Sequence, residues 1–165
     1  MERQNARLNI SPGLSPSIVD ISIRNCQRKY RVPERRVLSW TRRILQMKRY
    51  ESGEIGILWV NDRQIRRYNR DYRHQDKATD VLAFPMREGV GGELHPQFLG
   101  DVMISLETAK RDAALSGRRY LDHLLMLLIH GTLHLMGYDH EQSDREAQRM
   151  KRQERRLFKK LTEGV

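Results

Sequence analysis

The chain has 165 residues, of which 38% are hydrophobic and 32% are charged, and this length favours one domain that can bury a core. The longest apolar run, Leu124 to Ile129, is much shorter than the roughly 20 residues that span a membrane, which excludes a transmembrane helix. The net charge of +10 favours a polyanionic partner such as RNA, DNA or an anionic membrane surface.

Cys26 is the only cysteine in the sequence. It excludes an intramolecular disulfide and a zinc site built from several thiolates, and it fits a reducing compartment. Residues 1–16 contain no apolar segment of the kind that secretory signals have. We therefore expect a cytoplasmic protein with a flexible tail over residues 1–16 and one domain over residues 17–165.

Apolar periodicity, caps and breakers predict four strands and about five helices. The strands are predicted at 18–23, 54–60, 80–84 and 99–104, and residues 87–96, with three glycines and a proline, form a predicted loop. The helices are predicted at 33–48, from Asn61 or Asp62 onwards, at 105–116, at 120–136 and from Ser143 to about 161. In the second of these helices, Ile65 and Tyr68 are predicted to face inward. The fourth helix is apolar on nearly all sides and is therefore expected to be buried. These elements predict a single layered α/β domain (α+β mixed) with a small mixed sheet.

Three of the six histidines lie in the segment HGTLHLMGYDH, residues 130–140. His130 and His134 are four residues apart, which places both rings on one face of a helix. Gly137 can adopt the left-handed conformation that reverses the chain, so that His140 returns to the same point. Three imidazoles at one point are typical of a site for zinc or a similar metal.

The number of ligands favours a catalytic metal over a structural one. Structural zinc sites usually have four protein ligands, whereas catalytic sites have three and a water. Asp139 is a candidate either for a fourth ligand or for a group that orients a ligand. Gly131 occupies the position at which zinc proteases carry their catalytic glutamate, which argues against peptide hydrolysis.

The histidine segment closely resembles the signature of the YbeY family of bacterial metallo-endoribonucleases. Two further segments support the resemblance: YNRDYRHQDKATDVLAFP, residues 68–85, and LGDVMIS, residues 99–105. Ala78 stands where the family usually has proline, and Ala83 where it often has serine, but neither difference removes a ligand or a charge.

The resemblance implies one zinc ion per chain, held by His130, His134 and His140. It also implies catalytic roles for Arg73 and His130. The implied reaction is cleavage of single-stranded RNA in the maturation of the 3′ end of small-subunit (16S) ribosomal RNA and in ribosome quality control. The implied partners are ribosomal RNA, the small ribosomal subunit and assembly factors, with no membrane.

Other polar residues have weaker assignments. The guanidinium of Arg73 suits a bidentate clamp on a phosphodiester. Asp101 and Asp80 are candidates for orienting a ligating histidine, although a turn hydrogen bond is an equal alternative for Asp80. His123 is interpreted as a packed core residue. Four further arginines are candidate RNA contacts: Arg66, Arg70, Arg152 and Arg156.

Two other functions are compatible with the same residues. One is a zinc hydrolase of another substrate, such as a peptide. The other is a non-catalytic RNA-binding assembly factor in which the zinc is structural.

Overall fold

The computed structural model describes residues 18–86 and 97–163, so the predicted tail over 1–16 and the predicted loop over 87–96 lie outside the described residues. The described part contains four strands: β1 (Ile18–Asn25), β2 (Ser52–Val60), β3 (Val81–Pro85) and β4 (Phe98–Ser105). It also contains five helices: α1 (Glu34–Met47), α2 (Asp62–Arg73), α3 (Leu106–Leu115), α4 (Tyr120–Leu135) and α5 (Asp144–Thr162). The predicted α/β class is confirmed.

The strands form one mixed sheet in the order β1-β2-β4-β3. β1 pairs with β2 and β2 with β4 in parallel, whereas β3 pairs with β4 in antiparallel orientation. β3 is therefore an edge strand, which explains how it ends on Pro85, a residue without a backbone N–H.

The main core lies between one face of the sheet and helices α1, α4 and α5. Ile57 and Trp59 of β2 and Val102 of β4 are fully buried in it, and ten of the 16 residues of α4 are buried. A smaller cluster on the opposite face joins Ile65 of α2 to Met103 of β4. The prediction that α4 is buried is confirmed. Within residues 18–86 and 97–163, no helix has the length and apolar character needed to cross a membrane.

Helix α2 is fixed at its start by polar contacts. Asn61 and Gln64 form a capping box, in which each side chain bonds the backbone N–H of the other residue. The Asp62 carboxylate accepts bonds of 2.6 Å from the hydroxyls of Ser105 and Thr108. Burial raises the pKa of Asp62, but these hydrogen bonds and Arg111 outweigh burial and lower it. The start of α2 is thereby tied to α3.

Tyr68 does not face the core, so that prediction is wrong. Its side chain is 39% exposed, because α2 packs on the sheet through Ile65 and Asn69. The Tyr68 ring stacks on Tyr72, with centroids 6.1 Å apart and planes 9° apart, and both rings contact the edge or face of Phe84. The three rings form an aromatic cluster on the surface beside β3.

Candidate metal centre

The C-terminal end of α4 reverses the chain as predicted. Gly137 has a φ of +87°, which a residue with a side chain rarely adopts. Its N–H bonds the carbonyl of His134 at 3.0 Å, and the N–H of Tyr138 bonds the carbonyl of Leu133 at 3.1 Å. These two bonds define a Schellman motif, and they turn the following residues back towards the helix.

The three predicted histidines converge. The ring centroids of His130, His134 and His140 are 4.7, 5.3 and 5.1 Å apart in the three pairs. The Nε2 atoms of His130 and His134 are 3.2 Å apart. Two nitrogens on one tetrahedral zinc ion are about 3.3 Å apart, given Zn–N bonds of about 2.0 to 2.1 Å. The spacing therefore fits a metal bound between the rings, which we call the histidine triad.

Glu154 of α5 contacts the outer nitrogen of the His130 ring. Its Oε1 lies 2.6 Å from Nδ1 of His130, and both side chains are about 30% exposed. The carboxylate accepts the proton on Nδ1 and leaves the lone pair on Nε2, which faces the other two rings. Glu154 was not predicted as a site residue, although its spacing from the buried residues Met150, Leu157 and Leu161 places it on the inner side of α5.

The surroundings of His134 favour its neutral ring. Burial, followed by the neighbouring rings of His130 and His140, lowers the pKa of His134 to about 4. His134 is therefore uncharged at neutral pH and offers a lone pair instead of a proton. Three imidazoles with ligand atoms within 4.8 Å of one another are a donor set that suits zinc.

The segment that carries His140 is held in place by polar and aromatic contacts. The cations of Lys48 and Arg149 lie 4.7 and 4.8 Å from the centroid of the Tyr138 ring. Lys48 also donates a 2.8 Å bond to the Tyr138 hydroxyl. Asp139 accepts a 2.8 Å bond from the backbone N–H of Glu141, and so shapes the turn around His140. In the described part of the chain, Asp139 does not join the three histidines as a fourth ligand.

Arg73 reaches the triad from the end of α2. Its Nη2 lies 3.2 Å from Oε1 of Glu141, and the same oxygen lies 3.9 Å from Nε2 of His140. All three side chains are more than 40% exposed. The structure therefore brings Arg73 next to the histidine triad, on a side that solvent can reach.

The two remaining aspartates lie away from the histidine triad in the described part of the chain. Asp101 precedes Val102 on β4, and because side chains alternate along a strand it lies on the face of the sheet opposite α4. Asp80 accepts a 2.8 Å bond from the N–H of Val81, which supports the turn alternative, and its carboxylate lies beside His123. Burial raises the pKa of Asp101, an effect that Arg24 opposes.

The candidate RNA contacts lie on two separate surfaces. On α2, a groove of about 360 Å³ is lined by Arg63, Arg66, Arg67, Arg70 and Asp76. Arg66 forms a two-bond pair with Asp76 at 2.9 and 3.0 Å in this groove. On α5, Arg152 and Arg156 are exposed, and at 100° per residue they point away from Glu154 and the triad.

Residue 131, next to His130, is a glycine because α4 lies very close to the sheet at this position. A Cβ atom there would lie 2.5 Å from a methyl carbon of Val102, so α4 packs directly on β4 at this point. A side chain at residue 131 would face the sheet and not the triad. No carboxylate from this position can serve the metal as it does in zinc proteases.

The fold and the triad together define an α/β protein in which three histidines are placed to hold a metal ion. The solution structure of TM1509 from Thermotoga maritima shares the fold, with a TM-score of 0.60 and 22% identity over 86% of this chain and 88% of that chain.

Sequence relatives specify the family. The model of the family described as endoribonuclease YbeY matches residues 22–162. Endoribonuclease YbeY of Geobacter sulfurreducens is 42% identical over 145 residues, which are 87% of this chain and 97% of that protein. Endoribonuclease YbeY of Syntrophotalea carbinolica is 40% identical over 87% of this chain and 96% of that protein. The chain belongs to the endoribonuclease YbeY family.

Proposed function

We propose that this protein is a zinc-dependent endoribonuclease that cuts single-stranded RNA. The observation that carries the proposal is the convergence of His130, His134 and His140 beside Arg73, in a chain whose relatives are named endoribonuclease. Three ligands are the number that catalytic zinc sites use. His140 is 42% exposed, which leaves the triad accessible to a substrate.

Each residue of the centre has a distinct task. His130, His134 and His140 would hold the zinc ion, and Glu154 would keep the proton of His130 on Nδ1. When bound, zinc supplies a Lewis acid that polarises a phosphate oxygen and lowers the pKa of water.

Arg73 binds the scissile phosphate through two parallel N–H donors and offsets the negative charge that develops during cleavage. Its present partner is Glu141, in an exposed ion pair of the kind that contributes little to stability. An incoming phosphate can therefore replace this carboxylate at small cost.

The surfaces near Arg73 support an RNA substrate. The arginines of the α2 groove lie on the helix that ends at Arg73, so a phosphate chain bound at the triad continues over Arg66 and Arg70. The exposed rings of Tyr68 and Tyr72 offer stacking faces for bases that are not paired. Arg152 and Arg156 are proposed as outer phosphate contacts, reached by RNA that passes around α5.

The biological substrate that we propose is ribosomal RNA. The family resemblance supports a role in maturation of the 3′ end of 16S RNA and in ribosome quality control, with the small subunit and assembly factors as partners in the cytoplasm. A peptide substrate is disfavoured because residue 131 faces the sheet and provides no general base.

Arg73→Ala tests the proposal. We expect RNA cleavage to fall by at least 100-fold, since the phosphate loses its clamp and its charge stabilisation, while zinc content and circular dichroism stay unchanged. Arg35→Ala is the matched control, because Arg35 is an exposed arginine in the first turn of α1. Cleavage by Arg73→Ala at the parent rate would refute the role of Arg73. Parent protein loaded with zinc that never cuts RNA would favour the assembly-factor alternative.

The termini of the products identify the nucleophile. A 2′,3′-cyclic phosphate, seen at any time in the reaction, shows attack by the neighbouring 2′-hydroxyl. Its absence throughout the time course shows attack by water.

A further inference from the structure

A second group of ligand-type side chains lies on α4, apart from the histidine triad. Asp80, Asp112 and His123 each place one ligand atom within 4.8 Å of those of the other two. They come from the residue before β3, from α3 and from the first half of α4. Two turns of helix separate His123 from His130, or about 10 Å, so the two groups are distinct.

His123 has a buried nitrogen without a partner. The residue is only 8% exposed, and its Nε2 makes no hydrogen bond in the described part of the chain. The other nitrogen, Nδ1, lies 3.5 Å from the guanidinium of Arg118. Burying a polar atom without a hydrogen-bond partner is unfavourable. Nε2 therefore lacks a partner among the described side chains and is available to a ligand.

The two carboxylates beside this ring are in place to share such a partner. Oδ1 of Asp80 is fixed by bonds from the N–H of Val81 at 2.8 Å and from the hydroxyl of Thr79 at 3.3 Å. The carboxylate of Asp112 makes no hydrogen bond to another residue within 18–86 and 97–163, and it is half-buried. Two half-buried negative charges next to a neutral donor attract a cation.

The His123 ring is uncharged, as a metal ligand must be. Burial, followed by Arg118, lowers its pKa, and the two aspartates only partly oppose this. The ring is therefore neutral at pH 7 and carries a lone pair. Arg118 offsets part of the negative charge, but its side chain is exposed and can turn into solvent.

We propose that Asp80, Asp112 and His123 bind a second divalent transition-metal ion, which ties α3 and the start of β3 to α4. One imidazole and two carboxylates are donors that Zn²⁺ and Mn²⁺ accept. Sites of two metals that act together on one phosphate are about 3.5–4 Å apart. At about 10 Å from the triad, this ion braces the helix that carries His130 and His134, and the proposal does not depend on the RNA-cleaving function.

Zinc content measured after saturation with Zn²⁺ and gel filtration tests the proposal in the full-length protein. We expect Asp112→Asn to bind one ion fewer than the parent. A His130→Ala/His134→Ala variant, which lacks the triad, retains one ion, and this ion is lost when Asp112→Asn is added. The same Zn²⁺ raises the melting temperature of the triad-deficient variant, and Asp112→Asn abolishes the rise.

Asp122→Asn is the matched control, because Asp122 is next to His123 but pairs with Arg119 at 2.7 Å. The proposal is overturned if Asp112→Asn binds as much zinc as the parent, or if Asp122→Asn loses an equal amount, which would show adventitious binding.

Anomalous diffraction from crystals of the parent protein with Zn²⁺ gives a second test that needs no variant. We expect two peaks about 10 Å apart, one between the rings of the triad and one beside His123. A single peak at the triad contradicts the second site. A single peak beside His123 supports the second site, and it contradicts metal binding at the histidine triad.

Discussion

At the scale of single residues, Glu154 determines which nitrogen of His130 faces the other two histidines. Its 2.6 Å contact with Nδ1 holds both the ring orientation and the tautomer. The histidine segment itself could be predicted from sequence, because four-residue spacing and a helix-ending glycine are local features. Glu154 could not be assigned to His130 in the same way, since 24 residues separate them along the chain, and only the packing of α5 against α4 joins them.

Glu154→Ala is expected to weaken zinc binding by about 10–100-fold, because His130 loses the partner that fixes its ring. Glu154→Gln should have a smaller effect, since its amide oxygen still accepts the Nδ1 proton. Competition with a chromogenic zinc chelator measures both variants. Glu163→Gln, an exposed change just after the same helix, serves as the control. Zinc affinity in Glu154→Ala equal to that of the parent would show that this carboxylate does not support the metal centre.

The titration of His134 predicts how the metal-free protein responds to acid. The pKa of His134 is lowered to about 4 in the folded protein, against about 6.5 in an unfolded chain. Between these values the unfolded chain binds more protons, so the free energy of unfolding decreases as pH falls through this window. Urea unfolding in a chelator at pH 7 and pH 5 measures the effect.

His134→Gln provides the comparison for this measurement. It removes the titrating ring, so its stability should fall less than that of the parent between pH 7 and pH 5. Equal losses in the parent and the variant would contradict the lowered pKa of His134.

At the scale of elements, helix α4 is positioned by close contact with the sheet. Gly131 lies against Val102 and Val81, and this contact sets the depth at which His130 and His134 sit. The sequence predicted a buried helix from its apolar composition. It did not predict that residue 131 must be a glycine to fit against β4, because the close approach of a helix to a strand depends on tertiary packing.

Gly131→Ala is expected to destabilise the protein by about 1–2 kcal/mol. The added methyl carbon would lie 2.5 Å from a methyl carbon of Val102, which places the cost in the upper part of the range of about 1–3 kcal/mol that overpacking costs. The higher helix propensity of alanine recovers up to about 1 kcal/mol. Urea unfolding measures the change, with the exposed α5 substitution Gln148→Ala as the control. Stability equal to or above that of the parent would show that α4 does not pack tightly on β4 at this position.

For helix α2, the sequence pattern predicted the start of the helix correctly but not the direction of every side chain. Its start was predicted from Asn61 and Asp62, and the capping box at this end confirms it. The inward direction of Tyr68 was predicted from apolar spacing and is wrong, because the helix contacts the sheet through a narrow stripe and leaves the tyrosine on an aromatic surface. The spacing of apolar residues shows that a helix has a buried face, but it does not define how wide that face is.

At the scale of the whole molecule, the fold brings three distant parts of the chain to one centre. α4 and the turn after it supply the histidines, α5 supplies Glu154, and α2 supplies Arg73. The number of strands and helices followed from the sequence, as did the triad. The positions of Asp80 and Asp101 did not, since strand register and sheet face decide which carboxylates meet which histidines.

The central claim is that one metal ion at the histidine triad is needed to cut RNA. The most direct measurement is the metal content of the parent and of His134→Ala, made beside an RNA-cleavage assay on the same samples. We predict that His134→Ala loses one zinc ion relative to the parent and loses cleavage, while its circular dichroism is unchanged. A folded His134→Ala protein that keeps the zinc content of the parent, or that cuts RNA at the parent rate without this ion, would contradict the account.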